Sequence, residues 1–191
     1  MLSRFKLKNL YKKGKSSKEI SVLLGFSTGK INYWLKKYKI KKRSISDAVY
    51  LKYNPNGDPF SFKKPRTFSE AQLLGIGLGL YWGEGTKADT SSVRLGNTDP
   101  KLINKFIEFL INIFHINKND MKFSLQIFND ISEKLALNFW TKKLNINKSQ
   151  FYKTTISPSQ SKGTYKRKAL FGVLTVYYHN KKLRNLLIDM L

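Results

Sequence analysis

Cysteine is absent from the 191-residue sequence, and histidine occurs only as His115 and His179. Without cysteine the chain forms no disulfide, and nearly all structural zinc sites are excluded because they depend on thiolate ligands. The longest apolar run, Leu73 to Gly83, is too short to span a bilayer. The basic N-terminus contains no apolar signal segment. These features predict a cytoplasmic protein, associated with the nucleoid or wherever its target lies.

Acidic residues are also scarce, at 12 against 36 lysines and arginines, and the formal net charge is +24. Such an excess makes a compact chain repel itself, and a polyanionic partner relieves the repulsion. Each phosphate that is neutralised releases counterions, so binding should depend steeply on salt. A polybasic surface alone adsorbs only weakly to membranes. We therefore expect a nucleic-acid partner and no membrane.

The remaining composition is that of a folded chain, with 41% hydrophobic and 14% aromatic residues. Three regions are distinguishable. Residues 1–43 are basic and read as three helices, residues 44–66 contain turn and breaker residues typical of a linker, and residues 67–191 mix helical and strand patterns. An α+β fold is expected, with an all-α module at the N-terminus.

Within the first region, residues 17–39 carry the spacing of a helix-turn-helix motif. Ser21 is small where the second helix must cross the first, and Gly25 follows four residues later at the turn. Ile31 and Trp34 then lie six and nine residues beyond Gly25. A turn of this kind requires a positive φ, which glycine adopts without steric cost. The alternative interpretation is an ordinary helical hairpin.

The N-terminal part of the second helix in such a motif reads base edges in the major groove. Thr28, Lys30 and Asn32 are the expected base readers, because asparagine can pair with adenine and lysine can reach guanine. Lysines further along are expected at phosphates, which position the protein without specifying sequence. The complete DNA-binding set predicted for this helix is Ser27, Thr28, Lys30, Asn32, Tyr33, Lys36 and Lys37.

Lys41, Lys42 and Arg43 form a basic arm directly after this helix. An arm of this composition can enter an adjacent minor groove. The alternative interpretation is a plain solvated run of charge.

The third region predicts four strands between helices. Met121 to Phe128 alternates cleanly between apolar and polar residues, and a helix with Pro100 at its first position should be capped by Thr98 or Asp99. The other predicted strands are Val93 to Leu95, Phe151 to Ile156 and Gly172 to Tyr178. Three further helices are predicted: one that starts at Ser69, one from Ser132 to Leu144 and one from Lys181 to Met190. Ser157 to Lys168 is polar and basic, which predicts a hairpin loop.

A weak internal repeat is also present. A strand, a helix and the tripeptide Ile116-Asn117-Lys118 recur as a second strand, a second helix and Ile146-Asn147-Lys148. The repeat predicts two similar strand–turn–helix–turn units.

The helix that starts at Ser69 has glycines at positions 75, 77, 79, 83 and 85. Each glycine weakens a helix by about 1 kcal/mol relative to alanine. A helix that keeps this many is expected to pack very close to another backbone.

The end of this helix, Gly77 to Gly85, resembles the nine-residue motif of the LAGLIDADG homing-endonuclease family and aligns with it without gaps. Glu84 falls on the acidic position, Gly83 and Gly85 on the flanking small positions, and Gly79 on the internal glycine. Trp82 takes the place of the usual first acid. The resemblance extends over roughly residues 70–191, where the family order is helix, two strands, helix, two strands, helix.

The resemblance implies chemistry at Glu84. In the family two such helices pack side by side and bring two acids together, and carboxylates this close repel unless a divalent cation lies between them. Mg²⁺ so placed polarises a phosphodiester and activates water. Glu84 is thus implied as catalytic residue and metal ligand, and the Gly83 carbonyl as a second ligand. Apart from the resemblance, Lys87 is a candidate catalytic residue, because a nearby lysine can stabilise developing charge. The alternative for Glu84 is a helix-terminal acid, although such an acid opposes the helix dipole.

A single copy of the motif implies a homodimer on a pseudo-palindromic double-stranded DNA site. The implied dimer contacts are Gly75, Leu78, Gly79 and Trp82. The family also builds a mainly antiparallel sheet, covered by helices, that lies in the major groove. The outward strand positions implied to face DNA are Arg94, Lys122, Ser124, Gln126, Lys153 and Thr155.

Three functions are therefore compatible with the sequence. The first is a sequence-specific, Mg²⁺-dependent DNA endonuclease of homing type, favoured by the retained Glu84 and the glycine-rich helix end. The second is a DNA-binding transcriptional regulator that does not cleave, favoured by the complete helix-turn-helix spacing. The third is an RNA-binding maturase, which a basic sheet could also serve.

Overall fold

The computed structural model describes residues 2–159 and 169–191 and divides the chain into two compact units, Met1–Pro59 and Phe60–Leu191. The described residues of the first unit form only helices, whereas the second combines helices with a four-stranded sheet. The predicted α+β class is confirmed. None of the described helices combines the length and apolar character needed to cross a bilayer.

The first unit contains α1 (Arg4–Lys12), α2 (Ser17–Leu24), α3 (Thr28–Lys37) and α4 (Ile45–Tyr53). Hydroxyl side chains begin three of these helices: Ser16, Ser27 and Ser44 each accept a backbone N–H from the first turn that follows. Its small core is formed by Leu2, Leu7, Ile20, Ile31 and Leu35.

The segment 44–66, predicted as a linker, is more ordered than its turn residues suggest. Its first part is α4, which begins at Ser44 because the serine hydroxyl accepts the Asp47 N–H at 3.0 Å. Its last part belongs to the second unit, where the Ser61 N–H donates to the Phe114 carbonyl at 3.0 Å. The turn residues between Asn54 and Pro59 are confined to a short stretch between these two parts.

The second unit follows the order α5 (Phe68–Glu84), β1 (Val93–Asn97), α6 (Pro100–Phe114), β2 (Lys122–Phe128), α7 (Glu133–Leu144), β3 (Thr155–Ser157), β4 (Val173–Tyr178) and α8 (Lys181–Asp189). Asp99 caps α6 ahead of Pro100, as predicted. β3 is shorter than the predicted strand from Phe151. Of the predicted hairpin loop from Ser157 to Lys168, residues 160–168 lie outside the described residues.

The start of α5 also differs from its prediction. The N-cap is Thr67 rather than Ser69, and Thr67 forms a reciprocal capping box with Glu70. Lys63 lies 2.7 Å from the Glu70 carboxylate. Hydrogen bonds from Lys63 and from the Arg66 N–H lower the pKa of Glu70 to about 2. The carboxylate therefore stays charged at the positive end of the helix dipole.

The sheet has the strand order β1-β4-β2-β3. The last strand, β4, lies between β1 and β2 and is antiparallel to both, whereas β3 is parallel to β2. Alternate residues of each long strand point into the core, among them Leu95, Phe123, Leu125, Leu174 and Val176. The opposite face of the sheet, which we call the outer face, carries polar and aromatic side chains.

The predicted repeat is present in the structure. α6 and α7 both end on a residue in the left-handed conformation, His115 and Asn145. Each is followed by a buried isoleucine and by a 3-10 helix that begins after Asn117 or Asn147. Because α7 separates β2 from β3, the chain returns to the same edge of the sheet in the same direction, which explains the parallel pair.

The sequence order departs from the order that the family resemblance implies. One strand rather than two follows α5, because Gly85 makes only an isolated bridge to Leu95. In addition, α7 lies between β2 and β3.

Close packing of α5 onto α6 depends on one glycine. A Cβ atom at Gly77 would lie 2.1 Å from Cγ of Phe109. Phe109 is fully buried and contacts the rings of Phe106 and Phe114, so it has no room to withdraw. Gly75, by contrast, has no neighbour within 4 Å of such a Cβ. Among the glycines of α5 the close approach therefore occurs only at Gly77, and it is made by a side chain of α6, whereas the sequence led us to expect another backbone.

We predict that Gly77→Ala lowers the free energy of unfolding by about 1–3 kcal/mol, the usual cost of overpacking a core. The matched control is Gly75→Ala on the same helix, which should be neutral or gain up to about 1 kcal/mol from helix propensity when both variants are measured at concentrations where the chain is monomeric. Thermal and urea denaturation followed by circular dichroism measure both values. Equal effects of the two substitutions would contradict the assignment of Gly77 to the α5–α6 contact.

Candidate nucleic-acid interface

The turn between α2 and α3 is built as the sequence predicts. Gly25 has a φ of 66°, a left-handed conformation that glycine adopts readily. The Phe26 N–H then donates to the Ser21 carbonyl at 3.0 Å and closes the end of α2. Ile20 on α2 and Ile31 on α3 are fully buried between the helices. The two helices are thus fixed on each other through a small apolar core and a tight turn.

Two side-chain hydrogen bonds also join these helices. The Ser17 hydroxyl donates to Oδ1 of Asn32 at 3.0 Å, and the hydroxyls of Ser21 and Thr28 lie 3.2 Å apart. Asn32 and Thr28, two of the predicted base readers, therefore also connect α3 to α2. The contact at Asn32 fixes the orientation of its amide group.

The solvent-facing side of α3 carries Gly29, Lys30, Tyr33, Lys36 and Lys37, whereas Ile31 and Leu35 face the core. Tyr33 is 58% exposed. Lys30 lies 4.2 Å from the centroid of the Phe26 ring, and Lys37 lies 4.7 Å from that of Trp34. These cation–π contacts restrain the stems of the lysines near the surface of the helix.

The three residues of the basic arm after α3 differ in their exposure. Lys41 and Lys42 are exposed, but Arg43 folds back onto α1. Its guanidinium lies 4.2 Å from the centroid of the Tyr11 ring and donates to the Lys15 carbonyl at 2.5 Å. Its backbone N–H donates to the Tyr11 hydroxyl at 3.0 Å. The placement of Arg43 in a free arm is therefore corrected, because its contacts close the first unit.

The outer face of the sheet brings most of the other predicted residues together. β-Sheet pairing aligns Arg94, Tyr177 and Lys122 in one row across β1, β4 and β2. Further along, Ser124 pairs with Thr175, and Gln126 pairs with both Val173 and Thr155. Lys153 is exposed but precedes β3 instead of lying in a strand.

Arg94 is held in place more firmly than a surface arginine usually is. It forms an ion pair with Asp89, and its Nε donates to the Ser92 hydroxyl at 2.8 Å. Hydrogen bonds from Ser91, together with the charge of Arg94, lower the pKa of the Asp89 carboxyl, so this acid stays ionised. Arg94 also lies 5.1 Å from the Tyr177 ring centroid.

Three aromatic side chains that the sequence did not single out lie together, and one of them, Tyr177, contacts Arg94. Tyr177 is 5.9 Å from the His179 ring at an angle of 27°, and 5.7 Å from Tyr152. The Tyr152 hydroxyl lies 2.6 Å from Nε2 of His179. The alternation of β4 could have placed Tyr177 on the outer face. Tyr152 has no such signal, because the alternation of the predicted strand from Phe151 points Lys153 and Thr155 outward, and the strand in the structure begins only at Thr155.

Glu84 lies exposed at the end of α5. The next residue, Gly85, is buried, and a Cβ there would lie 2.4 Å from the Tyr81 carbonyl oxygen. Lys87 donates from Nζ to the Trp82 carbonyl, and Arg184 of α8 donates to the Lys87 carbonyl. Lys87, predicted as a catalytic residue, therefore also caps the negative end of α5.

In the described part of the chain, the carboxyl groups near Glu84 do not form a metal site by themselves. Among the described residues no three histidine, cysteine or acidic side chains come close enough to hold a metal ion together. Asp89, in the loop after Glu84, is bound to Arg94 and Ser91. The donor set that the resemblance implies at this helix end requires the Glu84 of a second copy.

One side of α5 is not covered by other described residues. Cβ atoms at Gly75, Gly79 and Gly83 would meet nothing within 4 Å, and Trp82 is 66% exposed. No lysine or arginine occurs between positions 68 and 85. Leu78, predicted as a dimer contact, is instead partly buried against the core of its own unit.

Comparisons of this chain with protein-family models, curated proteins and solved structures find no match.

Proposed function

We propose that the chain is a sequence-specific double-stranded DNA-binding protein in which α2 and α3 form a helix-turn-helix. The observation that carries the proposal is that α3 is amphipathic. Its apolar side is buried against α2, and its exposed side carries Lys30, Tyr33, Lys36 and Lys37. An exposed helix of this kind fits the major groove. The net charge of +24 supports a polyanionic partner.

In this proposal Lys30 and Asn32 read bases, and Lys36 and Lys37 contact phosphates. The hydrogen bond from Ser17 supports the role of Asn32, because a fixed amide pays less conformational entropy on binding. The outer face of the sheet supplies a second contact surface, through Lys122, Ser124, Gln126 and Thr155, with Lys153 beside them.

We predict that Asn32→Ala reduces discrimination at one base pair by about 1–3 kcal/mol. Ser17→Ala should have a smaller effect in the same direction, since it only releases the Asn32 amide. Lys37→Ala should weaken binding evenly across sequences and lower the salt slope by about 1. Binding to a randomised duplex library at several salt concentrations measures all three. Identical sequence profiles for Asn32→Ala and Lys37→Ala would contradict the assignment of α3.

We further propose that the chain is a homing-type DNA endonuclease, in which Glu84 from each of two copies holds Mg²⁺. The exposure of Glu84 and the uncovered side of α5 support this assignment. The metal would polarise the phosphodiester and activate water. Glu84 would bind it, with the Gly83 carbonyl as a further oxygen ligand.

A non-cleaving transcriptional regulator is the second candidate. The contact between Lys87 and the Trp82 carbonyl favours it, because this ammonium is already engaged at the helix end.

Incubation of the protein with a DNA library and Mg²⁺ distinguishes the nuclease from the non-cleaving regulator. If the chain is a nuclease, the native chain should produce cut ends, and Glu84→Gln should abolish them while binding is retained. Asp189→Asn, which removes another exposed acid of the same unit, is the matched control and should cleave normally. Sequence-specific binding without cleavage by the native chain would reject the nuclease and leave the regulator.

The homodimer is proposed to form through the uncovered side of α5. Two chains of this charge repel, so a face without lysine or arginine is the favourable place for them to meet. Trp82 adds a large exposed aromatic surface at the same end of the helix.

We predict that Gly79→Gln changes the stoichiometry on a pseudo-palindromic duplex from two chains to one, because its side chain occupies the space that the partner helix needs. Asn138→Gln on the exposed side of α7 is the control and should leave two chains bound. Native mass spectrometry of the complexes gives the count. One native chain per duplex would refute the dimer.

A further inference from the structure

At one end of the outer face, Tyr152, Tyr177 and His179 form a compact group, with Arg94 and Lys122 on the neighbouring strands. We call these five residues the aromatic corner. Tyr177 is its centre, because it lies in register with Arg94 on one side and Lys122 on the other.

The aromatic corner is not part of the hydrophobic core. Tyr177 alternates with Val176 and Tyr178, which are buried on the opposite face of the sheet. Tyr152 is 44% exposed, although an aromatic ring of this size gains most from being covered. Aromatic rings beside a positively charged surface are a recurrent arrangement in proteins that bind single nucleic-acid strands.

The rings are also held in position before any partner binds. The hydroxyl of Tyr152 is bound to Nε2 of His179 at 2.6 Å, and Arg94 is fixed over Tyr177 by Asp89 and Ser92. Burial, followed by the charge of Arg94, lowers the pKa of His179, which favours the neutral ring, and a neutral ring can accept a hydrogen bond from the Tyr152 hydroxyl at Nε2. A surface ordered in this way loses little conformational entropy on binding.

The chemistry of the aromatic corner differs from that of the middle of the outer face. Ser124, Thr175, Gln126 and Thr155 offer hydroxyls and an amide, which suit the hydrogen-bonding edges of paired bases. An aromatic ring gains instead from the flat face of a base. Within a duplex those faces are stacked on neighbouring pairs, so only an unpaired nucleotide presents one.

We propose that the aromatic corner binds an unpaired nucleotide, with its base stacked on Tyr152 and its phosphate beside Lys122. This inference rests on the proposed nucleic-acid-binding function and adds a second class of ligand to it. Stacking is indifferent to base identity and to the sugar, so the nucleotide can belong to a DNA or an RNA strand.

The test compares a blunt DNA duplex with the same duplex carrying a three-nucleotide overhang that contains 2-aminopurine, as DNA or as RNA. The native chain should bind at least one overhang substrate about five-fold or more tightly than the blunt duplex, with quenching of 2-aminopurine fluorescence on stacking. The overhang that is preferred, DNA, RNA or both, identifies the kind of strand that the aromatic corner binds.

Variants of Tyr152 separate stacking from a structural role. Tyr152→Leu should abolish the preference and the quenching while blunt-duplex affinity stays within about two-fold, since one ring contributes one stacked base. Tyr152→Phe keeps the ring, loses the hydrogen bond to His179, and should retain the preference. Phe128→Leu, at another exposed aromatic residue of the sheet, is the matched control and should behave as the native chain.

Equal binding of blunt and overhang substrates by the native chain would overturn the proposal. So would an equal loss on both substrates in Tyr152→Leu, or retained quenching in that variant. These outcomes differ from a failure of the proposed function, in which the blunt duplex itself would not bind and Lys37→Ala would have no effect on it.

Discussion

The missing side chain at Gly77 determines much of the second unit. It lets α5 approach α6 until the backbone of α5 touches the Phe109 ring, and this contact fixes the rotation of α5 about its axis. Gly75, Gly79 and Gly83 consequently face away from the core, and Glu84 emerges at the exposed end of the helix. One buried glycine thus defines which side of the helix faces outward.

Local features of the fold were predictable because short-range chemistry determines them. Gly25 forms the turn between α2 and α3, Asp99 and Pro100 begin α6, and the alternation of β2 identifies its buried side. The repeated tripeptides mark the ends of α6 and α7 in the same way. The strand order was not predictable, because the position of β4 between β1 and β2 depends on long-range pairing that leaves no local pattern.

In the candidate site, too, the local features were predictable and the long-range contacts were not. Exposure of the α3 lysines follows from helical spacing, and the outward positions of β2 follow from alternation. Arg43 was misplaced because its contact with Tyr11 connects residues 32 positions apart. The aromatic corner was missed for a similar reason, since Tyr152 and His179 are separated by 27 positions and meet only in the folded sheet.

The central position of β4 also bears on how the protein is made. β1 and β2 have no direct pairing with each other, so the sheet remains incomplete until Val173–Tyr178 has been synthesised. During translation the nascent chain therefore carries unpaired strand edges and an uncovered apolar surface for most of its length. Folding that waits for such distant pairing is slow, so a ribosome that stalls before residue 173 would release an aggregation-prone fragment.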